Sequence, residues 1–275
     1  MKRISAFVAF IIMTTTLSAQ ITQGAGGIDE AKLYAATKQV SQFFKRFNGE
    51  EDAKGKRLYP KDRAYQSAKL RKSYFEYLFD NSNTSLSSKY KVSFIDGVLN
   101  KDAPKFLDFH SDRWFAEVNA VFNRGGKEEN VLLFFIIEKQ REGYAWVLNH
   151  LSYDQHKSIY KKDTSASRNF MHPMSHELDF MNLHKELRNK NAIDYTSDTF
   201  KPDFLTLFLY ELNRGAVTFK TVQSVKFHFF QINGWYFQIS EFNRDSYNNG
   251  WLISDLVQVN KEQAEQLKLL IYDEI

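Results

Sequence analysis

Two polar residues in strand-like segments could carry acid-base chemistry. His228 lies between aromatic residues in Val-Lys-Phe-His-Phe-Phe, and Glu241 ends the run Gln-Ile-Ser-Glu. An imidazole has an ordinary pKa near neutrality, so it can accept or donate a proton at physiological pH. This chemistry requires both side chains to face one enclosed, water-poor space. Otherwise His228 is a packed core residue whose ring nitrogens are hydrogen-bonded.

Two further candidates occupy matching places in a repeated pattern. His150 lies in Trp-Val-Leu-Asn-His-Leu and Asp255 in Trp-Leu-Ile-Ser-Asp-Leu. Because an imidazole alternates with a carboxylate there, we assign neither a catalytic role. We retain His150, His228, Glu241 and Asp255 as candidate ligand-binding residues, with Glu117 and Asn119 as further polar residues on a strand face.

The densest group of imidazoles lies near the middle of the chain. It comprises His172, His176 and His184, with Glu177 as a neighbouring carboxylate. Zinc needs three or four converging ligands, and Pro173 leaves His172 outside the predicted helix. Nucleotide-binding glycine loops, the serine-hydrolase elbow, the His-Glu-x-x-His motif and the acidic calcium loop are all missing from the sequence. We therefore predict no metal site and no cofactor.

One strand-turn-strand pattern occurs twice, over residues 135–151 and 238–256. Each copy has Glu-x-x-Arg before a turn and Trp at the start of the return strand. The tryptophans are Trp146 and Trp251. Their separation matches a domain length rather than a short solenoid repeat, which predicts two similar domains in tandem.

Apolar spacing predicts the elements that position these residues. Helices are predicted over 29–48, 66–80, 174–190, 204–213 and 261–272, and strands over 90–95, 113–123, 130–139, 144–153, 216–231, 234–243 and 250–259. Asp203 is a predicted N-cap, Gly125-Gly126 a predicted hairpin turn, and Gly49 a predicted helix end.

With helices first and a meandering antiparallel sheet afterwards in each half, the chain resembles the NTF2-like (cystatin-like) superfamily. The resemblance rests on this element order and on the paired Trp strands. It implies an α+β fold of two NTF2-like domains, residues 28–155 and 172–275, joined by a polar linker over 156–171. In each domain, helices would pack on a curved sheet around a cone-shaped pocket, which family members use for catalysis or for binding alone.

The N-terminus and the composition predict an exported protein. Residues 1–19 have the charged, apolar and small-residue order of a signal peptide, with cleavage near Ala19. Removal of Lys2 and Arg3 lowers the formal charge from +4 to +2, which gives no electrostatic case for nucleic acid. The chain has no cysteine. We therefore expect a bacterial periplasmic or secreted protein with no integral membrane span after cleavage.

Our leading functional hypothesis is a non-catalytic binding or scaffold protein. Both faces of the strand near residues 225–232 carry apolar side chains, so one face can cover helices while the other needs a neighbour. A protein partner, a second copy of the chain or the other domain could provide it, with Phe230 and Ile232 as interface residues. The alternative is a pocket in the second domain that binds a small apolar ligand or performs acid-base catalysis.

Overall fold

The structure, a computed structural model, describes residues 35–160 and 196–272. It also describes isolated positions between these ranges: Phe180, Met181, His184, Arg188 and Ile193. The predicted signal peptide and most of the predicted helix 174–190 lie outside the described residues.

Helices and strands alternate in blocks along the described chain. They are helices α1 (Val40–Asn48), α2 (Ala68–Leu78) and α3 (Ser88–Val98); strands β1 (Trp114–Arg124), β2 (Lys127–Gln140) and β3 (Gly143–Ser152); helices α4 (Asp154–Ile159) and α5 (Phe204–Asn213); strands β4 (Val217–Phe229), β5 (Trp235–Phe242) and β6 (Gly250–Gln258); and helix α6 (Lys261–Ile271). Helix α4 covers the start of the predicted linker.

These strands form one antiparallel sheet in the order β3-β2-β1-β4-β5-β6. Each half of the chain contributes a three-stranded meander, and β1 pairs with β4 from Trp114 opposite Phe229 to Arg124 opposite Val217. The predicted α+β fold with an antiparallel meander is confirmed. Two tandem domains with a sheet each are not confirmed, because strands from both halves belong to one ladder.

The repeated segments form two equivalent hairpins, β2–β3 and β5–β6, on either side of the β1–β4 pair. Both repeated tryptophans reach the same central residue: the Phe227 ring lies 5.9 Å from Trp146 and 5.0 Å from Trp251. Three strand spacings of about 4.8 Å separate β3 from β4. The sheet therefore curves strongly, and register shifts in the β1–β4 pair, where β4 has extra residues, contribute to this curvature.

Helices α1, α2 and α3 fill the concave face and pack mainly against the second-half strands. The ring centroid of Phe43 lies 6.0 Å from that of Phe229, and Phe47 stacks on Phe237 at 6.1 Å. Phe229 and Phe237 stack on each other at 4.6 Å. Burying one such side chain stabilises the fold by about 1.5–3 kcal/mol. The first-half helices thus share one core with the second-half strands.

Helix α5 makes the reciprocal contact, since it comes from the second half and packs on first-half strands. Phe208 is 1% exposed, and its ring lies 5.1 Å from that of Phe122 on β1. The Asp203 side chain accepts a hydrogen bond of 3.1 Å from the Thr206 amide, which confirms the predicted N-cap.

One predicted strand is wrong. Residues 90–95 lie within helix α3. Tyr90, Val92 and Phe94 alternate as in a strand, but Tyr90 and Val92 are exposed while Phe94 and Val98 are buried. Phe94 and Val98 are four residues apart, so a helix brings both to the same buried face. Their burial outweighs the strand preference of the β-branched and aromatic residues in this segment.

Helix α1 ends at Gly49 as predicted. Gly49 has φ 72°, and a Cβ there would lie 2.8 Å from Cγ of Arg71. Arg71 is 1% exposed and its Nε donates a 2.8 Å hydrogen bond to the Phe47 carbonyl. Burial lowers the Arg71 pKa to about 10. Arg71, which belongs to α2, therefore satisfies a backbone carbonyl in the last turn of α1 and connects the two helices.

Candidate functional site

His228 is the centre of a buried hydrogen-bond network on the convex face, opposite α1–α3. The ring is 2% exposed. Its Nδ1 lies 2.9 Å from the Tyr236 hydroxyl and its Nε2 lies 3.0 Å from Glu117 Oε2. Lys226 Nζ lies 3.3 Å from the other carboxylate oxygen of Glu117. Strand pairing creates this arrangement, because β1 and β5 both flank β4.

The network fixes the protonation state of His228. Ionised Glu117 only accepts hydrogen bonds, so Nε2 carries the proton and Nδ1 accepts from Tyr236. Burial lowers the pKa of His228 below its ordinary 6.5 and outweighs the opposite effect of Glu117. Burial alone would raise the pKa of Glu117, but the hydrogen bond from His228 and the charge of Lys226 lower it. Burial also raises the pKa of Tyr236.

A cavity of about 660 Å³ lies beside this network, between α6, the β4–β5 turn and the start of β1. We call it the α6 cavity. Its floor contains Phe115, Phe230 and Val259, which belong to the buried cluster under α6. Two buried residues of the core under α1–α3, Ile232 and Trp235, also line it. Its rim carries charged side chains: Asp112, Arg113, Lys261, Glu265 and Lys268.

Strand and helix ends position the two walls of the α6 cavity. Arg113 immediately precedes β1; its carbonyl accepts a 2.9 Å bond from the Phe230 amide, and its Nη1 donates a 3.0 Å bond to Asn233 Oδ1. On the other wall, a capping box between Asn260 and Gln263 starts α6. The small side chain of Ala264 leaves space beneath the helix.

His228 lies beneath the floor of the α6 cavity rather than in its lumen. The Phe115 ring, which lines the cavity, stacks on the His228 ring at 4.9 Å. Phe230, which also lines it, lies 5.0 Å from the Tyr236 ring. The network therefore supports the floor and presents no free acid or base to a ligand.

The other three predicted ligand-binding residues do not share a cavity with His228. Glu241 is exposed and lines a separate cavity of about 400 Å³ at the β5–β6 end, so it does not converge with His228. Asp255 is exposed on β6, and its negative charge acts to raise the pKa of both His228 and Tyr236, less strongly than burial shifts them. His150 Nε2 lies 3.0 Å from the Tyr272 carbonyl oxygen, and the two rings stack at 5.2 Å. His150 thus contacts the chain directly after α6.

Both predicted interface residues lie inside the chain. Phe230 is 8% exposed, in a cluster that α6 covers, and Ile232 is 1% exposed in the core beneath α1–α3. The neighbour that the second sheet face requires is α6 of the same chain. Substitutions at these two positions would therefore perturb folding rather than report on association.

A second buried network, which the sequence analysis did not identify, joins β1, α4 and α5. His156 is fully buried, and its Nε2 lies 2.7 Å from Glu211 Oε2. Both Glu211 oxygens also accept hydrogen bonds from Arg124, and these bonds lower the pKa of Glu211 while burial opposes the shift. Arg124 Nε donates a 2.8 Å bond to the Tyr153 hydroxyl. We interpret this network as a structural connection, because its partners come from three separate elements.

Apart from Phe230 and Ile232, which were predicted as interface residues, the residues of the α6 cavity were missed, although one signal was readable. Lys261, Ala264, Glu265 and Lys268 follow i, i+3, i+4, i+7 spacing on the terminal helix, which places them on one face. Only the fold shows that this face borders a cavity.

The part of the chain that the structure describes contains neither a candidate metal site nor a helix that could span a membrane. No group of three or more His, Cys, Asp or Glu side chains there could hold a metal ion. Among the same residues, no helix has the length and apolar character needed to span a bilayer. Of the predicted imidazole group, His184 is exposed, whereas His172, His176 and Glu177 lie outside the described residues.

A comparison with protein-family models, curated proteins and solved structures finds no match for this chain.

Proposed function

We propose that this chain is an exported, non-catalytic binding protein and that the α6 cavity holds a small ligand with an apolar body. The observation that carries this proposal is the cavity itself. Its volume of about 660 Å³ lies within the range of about 300–1,000 Å³ that is usual for small-molecule sites. Buried aromatic side chains line its floor, and charged side chains line its rim.

The chemistry of the cavity favours binding over catalysis. A general acid or base must lie within hydrogen-bond reach of its substrate. The two nitrogens of His228 are already occupied by Tyr236 and Glu117. The carboxylates of the rim, Asp112 and Glu265, belong to exposed residues, so neither lies in the enclosed, water-poor surroundings that acid-base catalysis needs.

Export and the NTF2-like resemblance form part of the same proposal. The charged and apolar order of residues 1–19 supports export. Helices packed in the concave face of a curved antiparallel sheet support the resemblance. Duplication of a three-stranded meander accounts for the repeated Trp146 and Trp251 hairpins. The ligand site, however, lies on the convex face, outside the cone that the resemblance implies.

Filling the cavity tests the proposed function. Ala264→Trp places a large ring beneath α6, and Leu269→Trp places the same ring on the exposed side of the same helix, where Leu269 is 42% exposed. With the mature chain from Gln20, we expect wild type and Leu269→Trp to bind the neutral fluorophore phenylnaphthylamine. Ala264→Trp should bind it at least about tenfold more weakly, which corresponds to 1.4 kcal/mol. Equal binding by the two variants would exclude the α6 cavity as the binding site of the fluorophore.

A further inference from the structure

We infer that the ligand of the α6 cavity is an organic anion, whose negative group lies at the rim between α6 and Arg113 and whose flat apolar body lies on the aromatic floor. This inference rests on the proposed function and adds the chemical class of the ligand. Its basis is the distribution of charge on the two walls.

The α6 wall carries two cations on the cavity side. Lys261 and Lys268 are seven residues apart, so they lie about 10.5 Å apart along the helix axis on one face. Ala264 lies between them and opens the space under the helix. A ligand beneath α6 therefore lies along a wall with a lysine at each end, and the Lys268 ammonium lies 5.7 Å from the Tyr272 ring.

The opposite wall adds further positive charge. Arg113 uses Nη1 to bind Asn233 Oδ1, which holds the guanidinium at the rim. The Lys105 ammonium lies 3.5 Å from the Asn233 carbonyl oxygen, just outside the lining residues. Both walls thus present cations to the same opening.

The acidic residues of the rim cancel part of this charge but not all of it. The lining contains two carboxylates and three cations, so its net charge is +1 before Lys105 is included. The carboxylates are Asp112 and Glu265, and the cations are Arg113, Lys261 and Lys268. In the part of the chain with described side chains, none of these three cations forms an ion pair within 4.0 Å. Cations without a carboxylate partner around an apolar floor are complementary to an organic acid rather than to a neutral or cationic ligand.

The test uses two probes that share one aromatic body: the anion anilinonaphthalene sulfonate and the neutral phenylnaphthylamine. Fluorescence titrations of the mature chain compare wild type with Lys261→Gln/Lys268→Gln. We expect this double variant to bind the sulfonate about five- to tenfold more weakly and to bind the neutral probe within about twofold of wild type.

Two further variants separate local charge from net charge. Lys54→Gln/Lys56→Gln removes the same charge from an exposed loop and should leave both affinities unchanged. Glu265→Gln removes the carboxylate between the two lysines and should strengthen sulfonate binding by about threefold without affecting the neutral probe.

Different outcomes overturn the anion inference alone and the proposed function on which it rests. If both probes bind wild type equally and no rim substitution changes the sulfonate affinity, the anion inference is overturned while the cavity remains a binding site. If neither probe binds, or if Ala264→Trp leaves both affinities unchanged, the proposed function is overturned.

Discussion

His228 connects three strands through one neutral ring. Its proton on Nε2 binds Glu117 on β1, and its free nitrogen accepts from Tyr236 on β5. Protonation would add a donor at Nδ1, where the Tyr236 hydroxyl already donates, and would place a charge in a site that is 2% exposed. The ring therefore couples the packing under α6 to pH.

This coupling predicts a pH-dependent stability. The folded-state pKa of His228 lies below the ordinary 6.5. As the pH falls below about 6.5, the unfolded chain therefore binds more protons than the folded chain does. The free energy of unfolding should therefore decrease as the pH is lowered from about 6.5 toward the folded-state pKa. His228→Gln should lose about 1–3 kcal/mol at pH 8 and show a shallower decrease below pH 6.5 in urea titrations.

The matched control is His110→Gln, because the His110 side chain is 49% exposed. That variant should retain the wild-type slope of stability against pH. A His228→Gln variant with the same slope as wild type would show that other groups cause the dependence.

The sequence identified part of this network and little of the cavity. His228 and Glu117 were recognisable as polar residues in apolar strands. Tyr236 was not, since a tyrosine in an aromatic strand has no distinguishing pattern. The cavity joins Arg113 to Lys261 across more than half of the described chain, and such a contact depends on which strands pair.

Individual elements were predicted where local signals are strong. Gly125-Gly126, Asp203 and Gly49 each impose a turn, a cap or a helix end through their own backbone preferences. Helix α3 was missed because Tyr90, Val92 and Phe94 alternate, and only tertiary burial of Phe94 and Val98 selects the helix.

The outer edge of β6 provides a test at the element scale. Gly250 has φ 88°, and a Cβ there would lie 2.2 Å from the Thr37 carbonyl oxygen. That oxygen accepts a 2.8 Å hydrogen bond from the Trp251 amide. The Thr37 amide donates a 3.0 Å hydrogen bond to the backbone carbonyl oxygen of Asn249. The chain before α1 therefore covers a sheet edge only because residue 250 has no side chain.

Gly250→Ala should separate this segment from β6. Gly215→Ala is its control, because Gly215 has φ 73° and a Cβ there would have no atom within 4 Å. Both variants should lose about 1–3 kcal/mol from backbone strain. Gly250→Ala should lose about 2 kcal/mol more, from the clash and two backbone hydrogen bonds. Equal losses in urea titrations would show that the contact with Thr37 contributes nothing.

At the scale of the whole molecule, the two halves complete each other. The halves meet along the β1–β4 ladder, α1–α3 pack on β4–β6, and α5 packs on the first meander. The repeat of Trp146 and Trp251 predicted two similar units, and the structure contains two similar meanders. The sequence could not show that β1 and β4 pair, because alternation defines the faces of a strand but not its neighbour.

This shared core predicts that neither half folds alone. Residues 28–155 without β4–β6 would expose Phe43 and Phe47, and residues 172–275 would expose Phe229 and Phe237, so each fragment loses the burial that offsets its conformational entropy. We expect separate fragments to lack a cooperative urea transition in circular dichroism, and an equimolar mixture to recover sheet signal and one transition. A fragment that unfolds cooperatively as a monomer would instead establish an independent domain, and the tandem arrangement would then describe the chain better than one shared core.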